Sequence, residues 1–214
     1  MLETFDSADA LTDAAALGIE SCLAEALRSG GEATLVATGG RSPGAVYDRL
    51  AVAGLDWARV TVTLSDERCV APDAPEANAR LVRERLLQGP AAKARLLPLW
   101  PDPGRAALEA LAPFDAVMLG MGEDGHVASL FPDAPDEVVR SQAVYLPVIA
   151  SKPPPRRITM NFATLAAARQ VWVLASGMGK EDALRRSLST NGDTPLARVL
   201  HLRDQTVIFT DITL

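Results

Sequence analysis

Leu11, Ala15, Ile19, Leu23 and Leu27 recur at four-residue steps, which predicts an amphipathic helix over 7–29 that ends before Gly30-Gly31. The pattern then changes. "ATLVAT" (33–38) is a short unbroken apolar run and predicts a buried strand. Pro43 opens a second helix over 43–53, at a position where its missing N–H costs little. "RVTVTLS" (59–65) predicts the next strand, a helix follows at 77–88, and a short strand is expected in "ARLLPLW" (94–100). A turn and a helix fill 101–113. Further strands are expected at 114–120, 143–149, 157–162, 170–176 and 205–211, with helices at 163–169, 178–188 and 195–199.

Strand–helix alternation with unbroken apolar strands predicts an α/β chain. Its architecture would be three-layer, a mostly parallel sheet with helices on both faces. No repeat or low-complexity linker divides the sequence. The proline-rich "SKPPPRR" (151–157) is short and reads as a loop, so residues 1–214 are expected to form a single domain. Ligands of such sheets bind beyond the carboxyl ends of the strands. The informative segments are therefore the turns "TGGRSP" (38–43), "SDERCVAP" (65–72), "GMGEDGHVASLF" (120–131) and "SGMGK" (176–180). These polar, glycine-rich turns should converge on one edge of the sheet.

Composition narrows the function. Hydrophobic residues make up 48% of the 214, enough for a sizeable core. A net charge of −6 argues against a nucleic-acid surface, though a small site can still be locally basic. Two cysteines, Cys22 and Cys69, with no Cys/His cluster, suggest reduced thiols, no disulfide framework and no metal. The N-terminus lacks the basic and apolar regions of a secretion signal, and no apolar run approaches a membrane span. The expectation is a cytoplasmic monomer or weak homo-oligomer with a small-molecule substrate and no nucleic-acid or membrane partner.

Each turn has a chemical reading and a plain one. Gly39 and Gly40 precede a helix whose first N–H groups can bind an anion, with Arg41 and Ser42 as added donors. The plain alternative is a strand–helix turn with Ser42 as N-cap. In "SDER", Arg68 can grip a phosphate or carboxylate and Asp66 can accept from hydroxyls or orient Arg68; the alternative is a structural ion pair. Lys180 suits a phosphate, or is a solvated lysine in a first helical turn. Of Arg156 and Arg157, one is expected to reach the site. His126 is the sharpest candidate, a general base oriented by Asp124 or Glu123; the alternative is a histidine packed on Phe131. No GxSxG elbow accompanies it, which leaves an acyl-enzyme unsupported and points to activated water or to proton transfer between carbons. His201 is expected to be structural or exposed.

Taken in order, these turns resemble the 6-phosphogluconolactonase family over nearly the whole chain. "LGMGEDGHVASLFP" carries most of the likeness, supported by "DER" with Asn78 heading a helix, "PRRIT" and "GMGK". The resemblance implies a Rossmann-like α/β domain related to glucosamine-6-phosphate deaminase and ribose-5-phosphate isomerase. It implies hydrolysis of 6-phospho-D-glucono-1,5-lactone in the oxidative pentose phosphate pathway, without metal or organic cofactor. By position, His126 resembles the general base and Asp124 its carboxylate. Gly40, Ser42 and Lys180 resemble the phosphate grip, and Asp66, Arg68 and Arg157 resemble substrate contacts. The chain departs from the family's pattern at Arg41-Ser42-Pro43, where Ser-Thr-Pro is common, and at Ala77, where Ser is usual. A deaminase on the same fold is the first rival, although "VASLFPD" after His126 differs from the deaminase pattern. A non-catalytic sugar-phosphate sensor is the second.

Overall fold

The computed structural model describes residues 1–101 and 104–214; the expected turn around 102–103 lies outside the described residues. In chain order the first elements are β1 (Leu2–Thr4), α1 (Ala8–Gly30), β2 (Ala33–Ala37), α2 (Pro43–Ala51), β3 (Val60–Leu64), β4 (Asp66–Arg68) and α3 (Asn78–Leu81). Then come β5 (Arg95–Leu96), α4 (Arg105–Glu109), β6 (Ala116–Gly120), α5 (Asp136–Val139), β7 (Tyr145–Ile149) and β8 (Arg156–Met160). The last are α6 (Phe162–Ala167), β9 (Gln170–Ala175), α7 (Glu181–Leu188), α8 (Pro195–Leu202) and β10 (Thr206–Thr210).

Seven strands form one parallel sheet in the order β1-β10-β9-β6-β2-β3-β5. The inner strands β2, β3, β6 and β9 are almost wholly buried, as strands covered on both faces must be. Helices supply the covers: α1 packs on α2, and α6, α7 and α8 form a second group. Ser7 caps α1, and Gly31 closes it in the left-handed conformation, φ +82°. From β2 the chain steps outward through β3 to β5. It then returns to the other side of β2 with β6 and continues to β9 and β10. The reversal lies between β2 and β6, where an open α/β sheet forms its ligand crevice.

The three-layer α/β expectation holds, with one addition. The strands expected at 143–149 and 157–162 leave the main sheet and form a three-stranded antiparallel sheet, β4-β8-β7. The alternating exposure of β7, and Pro147 within it, fit an edge strand. The third member, β4, is the "DER" of a segment read as a turn; three charged residues carry no apolar signal. The edge strand β1 is equally short. The helix expected at 77–88 is regular only over Asn78–Leu81 and widens into a π turn at Val82–Leu86.

Candidate active site

Nine of the residues singled out in the sequence line one cavity of about 140 Å³ at the β2/β6 reversal: Gly39, Gly40, Arg41, Ser42, Asp66, Arg68, His126, Arg157 and Lys180; of the arginine pair, Arg157 lines it and Arg156 does not. Asp124 stands behind His126. Its Oδ1 lies 2.5 Å from the imidazole Nδ1 and also accepts the His126 backbone N–H at 3.2 Å. Glu123 is not the partner; its carboxylate lies near Gly179 instead.

The loop after β6 is shaped to present this pair. The Gly122 N–H donates to the His126 carbonyl and the Gly125 N–H to the Gly122 carbonyl, with Gly125 at φ +82°. A Cβ on Gly122 would fall 2.0 Å from His126 Nδ1, so only glycine leaves room for the ring. Ala128 takes a left-handed φ of +50°, a strain of about 1 kcal/mol, and turns the chain so that Ser129 Oγ reaches Asp66 Oδ2 at 2.5 Å. His126 stacks on Phe131 with ring centroids 4.4 Å apart. The packing role and the cavity-lining role weighed as alternatives in the sequence therefore coexist.

Burial holds the His126 pKa below its ordinary value; Asp124 opposes that effect and Lys152 adds to it. Burial alone would raise Asp124, but hydrogen bonds from Lys152 and His126 outweigh it and hold the carboxyl well below the usual range. An ionised carboxylate only accepts. The Nδ1 facing it therefore carries the proton, and Nε2 keeps the lone pair. The arrangement is a neutral imidazole poised to take a proton.

Around it the cavity is cationic. Ser42 makes no capping bond, so its hydroxyl is not spent on α2. Lys180 is half-buried rather than solvated. Burial and neighbouring Arg41 push its pKa down, and Asp211 and Glu123 partly compensate. The "SGMGK" turn is tied by Asp211, which accepts from Ser176 Oγ at 2.6 Å and the Gly177 N–H at 2.9 Å. Arg68 donates to the Glu76 carbonyl at 2.7 Å, while its buried Nε has no partner among the described residues. Among the described residues no cluster of His, Cys, Asp and Glu offers a metal site.

Several site-building roles escaped the sequence reading. Glu67 is buried and accepts the backbone N–H groups of Arg68, Asn78 and Ala79 at 2.7, 2.8 and 2.7 Å, fixing β4 to the start of α3. Asn78 donates to the Asp66 carbonyl at 2.8 Å and sits so close to Gly39 that a Cβ there would clash at 1.9 Å. Lys152 reaches Asp124 from the 151–155 loop; the proline run beside it was the only available signal. His201 is exposed on α8.

The model of the glucosamine-6-phosphate isomerase/6-phosphogluconolactonase family matches residues 6–209. The chain belongs to this family. A 6-phosphogluconolactonase of Pseudomonas putida is 39% identical, over 94% of this chain and 90% of its own length. The crystal structure of a 6-phosphogluconolactonase from Shewanella baltica superposes with a TM-score of 0.89 at 33% identity, covering 98% of this chain and 97% of that one. A monomeric glucosamine-6-phosphate deaminase shares the fold at a TM-score of 0.81, with 19% identity, over 98% of this chain and 96% of its own. Among the described residues of this family member, no helix is long and apolar enough to cross a membrane.

Proposed function

We propose that the chain hydrolyses 6-phospho-D-glucono-1,5-lactone to 6-phospho-D-gluconate in the oxidative pentose phosphate pathway, with His126 as general base. The observation that carries this reading is the Asp124–His126 pair on the wall of a cavity lined by Arg41, Arg68 and Lys180. Its relatives of that name support the substrate. Nε2 of His126 takes a proton from water as the water oxygen bonds to the lactone carbonyl carbon. The resulting oxyanion is stabilised by donors on the cavity wall such as the Arg68 guanidinium. The carbon–ring-oxygen bond then breaks, and the imidazolium returns the proton to the departing ring oxygen. The step consumes one water and uses no metal or organic cofactor. Gly39, Gly40, Arg41, Ser42 and Lys180 hold the phosphate, remote from the reacting carbon, and so orient it. Asp66 and Arg157 shape the sugar end of the cavity.

The test is hydrolysis of lactone generated in place by glucose-6-phosphate dehydrogenase, with product followed through 6-phosphogluconate dehydrogenase and spontaneous opening subtracted. A rate equal to the spontaneous one rejects the proposal, and glucosamine 6-phosphate is then the substrate to try. Lys180→Ala should raise KM roughly 10- to 100-fold with kcat little changed, the loss expected for a charge-assisted bond to phosphate. Unchanged KM would remove Lys180 from the grip. The pH profile has a definite sign. Burial disfavours the imidazolium, so the base form persists below the ordinary imidazole value of 6.5. The acid limb of kcat/KM should therefore lie below that pH, with a plateau through neutrality; a limb above it would exclude His126 in this environment.

A further inference from the structure

Lys152 takes no part in the chemistry above, yet its Nζ lies 2.8 Å from Asp124 Oδ2. That is the carboxylate oxygen His126 leaves unused, since Nδ1 bonds to Oδ1. An exposed lysine–aspartate pair on a loose loop contributes little. This one is fixed from behind. Arg157, 4% exposed, donates to three successive backbone carbonyls: Nη2 to Lys152 at 3.1 Å and Pro153 at 3.4 Å, and Nε to Pro154 at 2.9 Å. Its Nη1 reaches Ser129 Oγ at 3.2 Å. Arg157 is itself held in β8, paired with Arg68 of β4. Phe131 joins the two halves: His126 stacks on it, and Arg157 Cζ and Lys152 Nζ stand 5.5 and 5.9 Å from its ring centre.

We propose that Lys152 is a positioning residue for the His126–Asp124 pair: it grips the outer oxygen of Asp124 and fixes the carboxylate's rotation, while Arg157 anchors it through the backbone of 152–154. The inference rests on the reading of His126 as general base. It also gives Arg157 a task distinct from substrate contact, because most of its donors are already spent within the protein. The charged groups facing His126 are Asp124 on its own loop, Lys152 on the 151–155 loop, Asp66 on β4 and, across Phe131, Arg157. A cation so placed opposes protonation of the imidazole. Its removal should raise the His126 pKa and free Asp124 to rotate.

The experiment compares wild type, Lys152→Met and Lys152→Arg. The Lys152 side chain is half exposed, so truncation leaves the core intact. Imidazole titration by NMR needs no substrate, and the chain has two histidines, so exposed His201 serves as internal reference. In Lys152→Met the His126 midpoint should move to higher pH while His201 stays, and Lys152→Arg should return it. Plateau kcat of Lys152→Met should fall on the order of tenfold, a fraction of what a general base contributes, with KM within about twofold and the acid limb moved upward. An unmoved His126 midpoint overturns the proposal. So does a moved midpoint with unchanged kcat, which would make Lys152 an electrostatic neighbour only. A wild type inactive on the lactone rejects the catalytic reading instead, and the titration still reports whether Lys152 holds the pair.

Discussion

His126→Asn should lower kcat by about 10²- to 10⁴-fold while leaving KM within a small factor, the span expected for loss of a general base. Asparagine keeps a donor near Asp124 but has no titratable nitrogen. The phosphate grip proposed for the β2 and β9 turns is untouched by the change, so ligand affinity should survive. Competition by inorganic phosphate, measured against wild type and variant, separates the two outcomes. A variant that turns over normally would remove His126 from the mechanism. A variant that loses phosphate affinity as well would mean that the loop after β6 had collapsed, and the kinetics would then report structure rather than chemistry.

Glu67→Ala should show the largest loss of stability, about 3 kcal/mol in denaturant unfolding. The carboxylate accepts three backbone N–H groups in a buried setting, and two of them, on Asn78 and Ala79, head a helix that has no other cap. Alanine leaves all three without a partner. Glu67→Gln retains a carbonyl oxygen for part of the set and should cost less. A change under about 0.5 kcal/mol for the alanine variant, typical of an open surface, would show that water replaces the carboxylate readily. The residual activity of folded Glu67→Ala should also fall, because Arg68 and Asn78 both take their places from this anchor.

The main sheet was legible because β2, β6 and β9 are nearly continuous apolar runs and β3 is rich in β-branched residues, and the site was legible because glycines and charges gather after them. Gly39 was read only as part of an anion-binding turn; its lack of a side chain also makes room for Asn78 from a distant helix. The Asp124 and Glu123 alternatives could not be separated in the sequence, since adjacent residues share a turn and only its coiling aims one of them at Nδ1. The antiparallel sheet was hidden for a different reason. A strand spelled Asp-Glu-Arg is polar because Asp66 and Arg68 face a cavity and Glu67 caps the start of α3, and hydrophobic periodicity is silent about such a strand. Lys152 was invisible as a partner because a loop's proline run says that the chain is stiff, not what it stiffens.

The antiparallel ladder of β4 and β8 sets Asp66 opposite Thr159 and Arg68 opposite Arg157. Neighbouring residues of a strand project to opposite faces, so a slip of one position would turn Asp66 and Arg68 away from the cavity together. The spacing of the cavity-facing groups is therefore not tuned side chain by side chain. It is a property of the alignment between two backbones, so a change that loosens this ladder would disturb the cavity wall as surely as a change to the side chains that line it.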